Sequence, residues 1–261
     1  MELMTRLNDM PLRENFIERI FAYCRWMEML DQESGQVPHS PQADAHDTQP
    51  QAPHRDGMPH MSIKQKIAIV APLILTGVMY PVFQLLSGVL GETTGWYLGL
   101  AMYWLVCGGV FPWLMIGKAS IRKMIRPQKP TGGIFLLVLF PLLMAGLYRY
   151  ITGMEYEKPS VWIFLLLVST NFGNGFFEEV LWRGMYMELF PDNALLRIIW
   201  PSIWFALWHF APGSVSSTGN AIGLVIGSGL MGFYLSFLAN RTGTIWWTII
   251  AHIIGGFIMI V

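Results

Sequence analysis

From residue 67 to its end, this chain is a succession of apolar runs separated by short polar breaks, and that pattern limits what it can fold into. A helix that crosses the hydrocarbon core of a bilayer takes about 20 residues, within a range of roughly 17 to 25. Runs at 67–90, 96–117, 134–150, 160–182, 196–212, 220–239 and 244–261 meet or approach that length. They predict an all-α, polytopic transmembrane helix bundle of about seven spans. The composition agrees: 53% of the residues are hydrophobic and only 13% are charged, where soluble domains carry about 25% charged residues.

The zero formal net charge hides two different materials. Residues 1–60 hold ten Asp/Glu and five Arg, whereas residues 61–261 hold seven Asp/Glu and twelve Lys/Arg. Residues 1–30 read as an amphipathic helix, with Ile17, Ile20, Phe21, Cys24 and Met27 near one face. Residues 31–62 form a linker rich in Pro, Gln, Asp and His that is disordered by composition. Its histidines (His39, His46, His54 and His60) are read as solvated residues. Residues 63–261 are the transmembrane helical domain. No apolar signal-peptide core opens the chain, and Met58 and Met61 offer an alternative start just before the first run. Cys24 and Cys107 make no disulfide framework.

Lys118, Arg122, Lys123, Arg126 and Lys129 cluster between the second and third runs without an acid among them. Positive residues mark cytoplasmic loops, so this loop and the N-terminus are expected in the cytoplasm of a cell-membrane protein. Lys64, Lys66 and Arg241 agree, and the loop carrying Glu155 and Glu157 falls outside. The modest basic excess follows membrane topology, which argues against a nucleic-acid partner.

A charge at mid-bilayer costs about 2.5–3.5 kcal/mol on insertion scales, so it persists where it faces the protein interior and does something there. In the second half of the chain the buried polar set is short: Glu178, Glu179, Arg183, His209 and His252, with Asn171 and Asn174 upstream. Glu179 and Arg183 are four residues apart, where helical side chains meet and can neutralise one another. Glu178 lies about 100° round the helix without such a partner. The spacing reads Glu179 as half of an ion pair and Glu178 as free for chemistry; the alternative is a helix-end ion cluster at the cytoplasmic interface with snorkelling side chains. In "FALWH", Phe205 and His209 share one aromatic face, and His252 lies inside the last run. One helix with an acid pair and two later helices with one histidine each suggest a convergent site. It could hold a water between Glu and His, or a metal through two imidazoles and a carboxylate.

The segment "EEVLWRG" resembles the EExxxR motif, "FALWH" the FxxxH motif and "RTGTIWWTIIAH" the third, histidine-bearing segment of the CPBP family. This family comprises CAAX proteases and bacteriocin-processing or immunity proteins, also called Abi proteins. It includes glutamic-type intramembrane endopeptidases such as the type II CAAX prenyl endopeptidase. The resemblance covers roughly residues 160–261, the CPBP-like core, and the first 130 residues carry no family-specific signal. It implies that Glu178 activates the attacking water, His209 helps position it and His252 contributes to stabilising the oxyanion, with Glu179, Arg183 and Phe205 in support. One position departs from the pattern: the family commonly places Asn four residues after the last histidine, and here that residue is Gly256.

The resulting expectation is an intramembrane endopeptidase that acts on a membrane-associated protein or peptide by glutamate-activated water, with no cofactor favoured. The alternatives are a zinc-dependent version with Glu178, His209 and His252 as ligands, and a non-catalytic immunity or chaperone-like membrane protein, for which Gly256 is the suggestive feature. A proton-coupled transporter would predict inverted repeats, and the sequence has none. Plain antiparallel helices would set Glu178 toward the cytoplasm and His209 toward the outside. A shared site therefore calls for a long tilted fourth helix, a shifted fifth, or a break at "NFGNG", 171–175.

Overall fold

The computed structural model describes residues 61–129, 160–216 and 221–260, with nine positions between 133 and 150. The expected helix at 1–30, nearly all of the linker at 31–62, most of the expected third span and the loop at Glu155 and Glu157 lie outside the described residues.

Ser62 starts the first helix. Its hydroxyl accepts from Gln65 N at 3.2 Å while Gln65 Oε1 accepts from Ser62 N at 2.8 Å, a reciprocal cap that satisfies two N-terminal donors. Helix α1 then runs Ile63–Leu90, 28 residues, or about 42 Å at 1.5 Å per residue. Pro72 lies inside it and has no N–H to give the carbonyl of residue 68. Tyr186 supplies the missing donor, its hydroxyl donating to Ala68 O at 2.7 Å. A helix defect thereby becomes an interhelical tie, since a backbone group freed inside a membrane must find a partner.

Helix α2 spans Glu92–Met124 and winds as a π-helix over Tyr103–Val110. Gly117, at φ 79° and ψ 161°, breaks it before the basic last turn. Helix α3, Val161–Leu189, is 29 residues long and contains π windings at Asn174–Glu178 and Val180–Gly184. After a turn at 190–194, residues 195–208 form α4, which ends at His209, and Phe210–Gly213 is the short α5. Helices α6, Ala221–Thr242, and α7, Trp246–Ile260, complete the chain. No strand occurs among the described residues.

α1, α2, α3 and α6 are long and apolar enough to cross a membrane, while α7 is a shorter apolar helix. Their outer surfaces are apolar as well: Leu85 is 66% exposed, Leu105 64%, Trp162 78% and Leu230 71%. Soluble monomers rarely expose contiguous apolar patches beyond a few hundred Å², so these faces are lipid-facing and the protein is a membrane protein. Lipid tails supply no hydrophobic force between helices, so association rests on close packing and interhelical hydrogen bonds. Phe83, Tyr103, Trp182, Phe205 and Trp208 fill the centre of the bundle. Gln65 Nε2 donates to Leu189 O at 2.8 Å, and Trp104 Nε1 to Asn174 Oδ1 at 2.9 Å.

"NFGNG" contains no break. Gly173 and Asn174 are right-handed helical, and α3 runs through to Leu189, seven residues beyond the expected end of the span. The long fourth-span helix is therefore the device that the chain uses.

Candidate active site

Helical side chains lean toward their own N-terminus. α3 runs toward the end of the bundle that holds Leu189, and α4 and α7 start at that end. Glu178 therefore leans away from this end while His209 and His252 lean back toward it. The two directions converge near the middle of α3 and α7 and the C-terminal end of α4, with Glu178 eleven residues, or about 16 Å, from Leu189.

Glu178 and Glu179 are both fully buried, at 1% and 0% exposure, but their surroundings differ. Glu179 Oε1 accepts from Arg183 Nη1 at 3.0 Å and from His252 Nδ1 at 2.8 Å. Arg183 Nη2 also donates to Gly232 O at 3.1 Å, anchoring the guanidinium to α6. Glu178 Oε1 accepts one bond, from Trp208 Nε1 at 3.2 Å. Its Oε2 lies 3.6 Å from His252 Nε2, beyond hydrogen-bond range, and has no partner among the described residues. The His252 ring thus stands between the two acids, bonded to one and facing the other.

Phe205 is the hub on the far side. The Arg183 Cζ lies 4.3 Å from its ring centroid, the His209 ring 4.6 Å and the His252 ring 6.2 Å, both edge-on. His209 Nδ1 lies 2.7 Å from Phe205 O. A carbonyl can only accept, so Nδ1 carries the hydrogen and a neutral ring presents Nε2 as an acceptor. Glu178, Glu179, Arg183, Phe205, His209 and His252 accordingly form one cluster drawn from α3, α4 and α7.

Sequence reasoning missed the aromatic walls. Trp208 stacks on Tyr103 at 3.8 Å between centroids, and Trp182 Nε1 donates to the Tyr103 hydroxyl at 2.8 Å. A signal existed for the tryptophans: Trp182 is four residues after Glu178, and Trp208 precedes the histidine of "FALWH". Tyr103 comes from a run without a motif, so nothing in the sequence marked it. An apolar groove of about 660 Å³ between α1 and α2, lined by Val70, Leu75, Met79, Val106 and Phe111 among others, includes none of the six clustered side chains.

Among the described residues, no group of three His, Cys, Asp or Glu side chains is arranged to hold a metal ion. The Nδ1 atoms of both histidines are already committed, His252 to Glu179 and His209 to Phe205 O. Nε2 of each ring is then the nitrogen left to face a water, a substrate or a metal.

Residues 160–258 match the family model described as type II CAAX prenyl endopeptidase Rce1-like. The match runs from the start of α3 into α7 and takes in all six clustered side chains. The three motifs thus carry a true likeness to the CAAX protease family, which is a family of proteases. An apolipoprotein N-acyltransferase from Vibrio parahaemolyticus serotype O3:K6 (strain RIMD 2210633) is 30% identical over 100 residues, covering 38% of this chain and 19% of that protein. The chain therefore spans less than a fifth of the length of this curated relative. No solved structure matches.

Proposed function

From a chain whose residues 160–258 are similar to the CAAX endopeptidases, we propose an intramembrane endopeptidase that hydrolyses a peptide bond of a membrane-associated protein. The observation that carries this reading is Glu178 Oε2: like Glu179 Oε2 it is a buried carboxylate oxygen without a hydrogen bond among the described residues, and it alone faces an imidazole nitrogen, His252 Nε2, at 3.6 Å. A buried polar atom left unpaired costs about 1–3 kcal/mol, and a catalytic task is one reason to keep it.

Glu178 Oε2 takes a proton from a water whose oxygen attacks the scissile carbonyl carbon. His209 Nε2 accepts the other hydrogen of that water and fixes its direction. The carbonyl π bond opens to an oxyanion, to which His252 Nε2–H donates when the ring is protonated. The carbonyl then re-forms as the C–N bond breaks, and the proton held by Glu178 passes to the departing amine. No covalent enzyme intermediate and no metal are required. Glu179 acts as a positioning residue that fixes the His252 ring, and Arg183 balances its charge.

The test compares the N-termini and masses of cellular membrane proteins between the wild type and Glu178→Gln. The wild type should release fragments that the variant does not, at equal protein abundance; cleavage retained by the variant sinks the assignment. Activity should survive strong chelators, and its loss with recovery on added zinc would establish the zinc-dependent reading with Glu178, His209 and His252 as ligands. Gly256, which offers no side-chain donor, favours the second reading, a non-catalytic immunity or chaperone-like protein. That reading would leave the two profiles identical.

A further inference from the structure

Tyr103 is fully buried at the start of the π winding of α2. It lies outside residues 160–258, so nothing in the matched segment gives it a role. Its ring and its hydroxyl serve two different helices. The hydroxyl accepts from Trp182 Nε1 of α3 at 2.8 Å, and the ring stacks on Trp208 of α4, with centroids 3.8 Å apart and planes 21° from parallel. Trp208 Nε1 in turn donates to Glu178 Oε1 at 3.2 Å, and Glu178 precedes Trp182 by four residues on α3. Glu178, Trp182, Tyr103 and Trp208 therefore close a circuit in which α2 supplies one member.

An indole has a single N–H, fixed in the plane of its ring. The direction of the bond to Glu178 Oε1 is therefore set by where that plane lies. Two aromatic rings bear on it. Phe83 of α1 meets Trp208 at 59° with centroids 6.0 Å apart, whereas Tyr103 lies nearly parallel at 3.8 Å, so Tyr103 is the tighter constraint on the plane. The hydroxyl keeps Tyr103 itself from sliding along the indole, because the buried Trp182 N–H needs its acceptor.

We propose that Tyr103 is a positioning residue for Glu178, acting through Trp208. The inference rests on the endopeptidase reading above. A carboxylate held at Oε1 presents Oε2 in one direction, and in that direction lies His252 Nε2 at 3.6 Å. If the indole swings, the carboxylate turns with it, and Oε2 leaves the place where a water would be activated. Tyr103 acts from behind Trp208, so its loss should lower the rate and leave substrate affinity alone.

The experiment uses the purified full-length chain and a peptide substrate identified by the Glu178→Gln comparison. It measures kcat and KM of the folded protein, with thermal unfolding, for the wild type, Glu178→Gln, Tyr103→Phe, Tyr103→Leu, Trp208→Phe, the double variant Tyr103→Leu/Trp208→Phe and Phe190→Leu. Tyr103→Leu removes the stack and should lower kcat about three- to tenfold with KM within about twofold. Where leucine unfolds the protein, Tyr103→Met carries the same expectation, because its flexible side chain fills the gap. Tyr103→Phe keeps the stack and strands the Trp182 N–H, so it should unfold at lower temperature with kcat within about twofold of the wild type. In the Trp208→Phe background Tyr103→Leu should cost kcat little more, since the bond that it steadies is already gone. Phe190→Leu truncates a buried aromatic just past the end of α3 and should lower the unfolding temperature without changing kcat. A purely structural Tyr103 would behave as Phe190 does. That result beside an inactive Glu178→Gln would overturn this inference alone, as would wild-type kcat in Trp208→Phe or a full further loss in the double variant. A wild type that cleaves nothing overturns the endopeptidase reading, and this inference with it.

Discussion

Glu178 and Glu179 are adjacent in sequence, yet their neighbours give them different capacities. Glu179 Oε1 has two cationic or N–H partners at 2.8 and 3.0 Å, whereas Glu178 Oε1 has one indole N–H at 3.2 Å; the second oxygen of each acid has no hydrogen bond among the described residues, and that of Glu178 faces His252 Nε2 at 3.6 Å. The i, i+4 spacing of Glu179 and Arg183 was legible because helical periodicity is local. The bond from His252 to Glu179 was not, since it joins residues 73 apart in sequence. This bond makes Glu179 an orienter of the histidine as well as half of an ion pair. Trp208 gives the clearest prediction at this scale. Phenylalanine in its place keeps the stack on Tyr103 and removes the one hydrogen bond that Glu178 Oε1 receives among the described residues. A hydrogen bond to a charged group is worth about 1.5–3 kcal/mol, and each 1.36 kcal/mol is tenfold in rate. Trp208→Phe should therefore lower kcat by at least about tenfold with KM unchanged. Steady-state kinetics that show an altered KM at wild-type kcat would assign Trp208 to substrate binding instead.

Helices depart from ideal winding where the site is built. α3 carries two π windings across 174–184, and a π-helix fits more residues into each turn than an α-helix. Consecutive side chains then diverge by less than 100°, and Glu178 and Glu179 both come to face His252. Reading the segment as ideal α-helix separates them by a full 100°, so the division of labour was legible and the shared histidine was not. The boundaries of α1 and α6 followed hydropathy closely, within four residues at each end. The end of α3 passes the apolar run that stops at 182 and reaches Leu189, as a single helix over 160–190 with a polar lower end carrying Arg183 and Glu188 would. Gly117 supplies the prediction for α2. Nothing lies within 4 Å of a Cβ built there, so the cost of a side chain is conformational alone: the backbone sits at φ 79°. This break sets the last turn so that Met124 O accepts from Ile245 N at 3.2 Å and from the Thr244 hydroxyl. Gly117→Ala should destabilise the protein by about 1–3 kcal/mol. The measurement is unfolding in detergent, and an unchanged midpoint would show that the break can relax without loss.

Across the whole bundle, one end collects the positive charge. Lys64 Nζ donates to Met115 O at 2.7 Å, Ser120 Oγ to Glu188 at 2.8 Å, and the Met124 carbonyl meets the α6–α7 turn. These bonds gather the start of α1, the end of α2, the end of α3 and the start of α7 at one level. Lys66, Lys118, Arg122, Lys123, Arg126, Lys129 and Arg241 lie in or beside these same segments, though they are spread along the sequence. At the opposite end Gln84 Nε2 donates to Ser214 Oγ at 2.9 Å, and the described residues next to that bond, 84–91 and 210–216, include no basic residue. Charge asymmetry over short loops sets orientation, so the Lys118–Lys129 end should face the cytoplasm. In a background with Cys24 and Cys107 replaced by serine, a cysteine at Gln128 should resist a membrane-impermeant maleimide added to intact cells and react after lysis. A cysteine at Glu157 should react in intact cells. The reverse pattern would invert the molecule, and with it the side from which substrate approaches. Glu178 lies about 16 Å from the basic end, close to half of a ~30 Å hydrocarbon core. On the endopeptidase reading, a substrate peptide bond would travel a similar distance from either face. Among the described residues, the basic end is tied by the hydrogen bonds from Lys64, Gln65, Ser120 and Thr244, which a substrate entering from that side would have to displace on the endopeptidase reading.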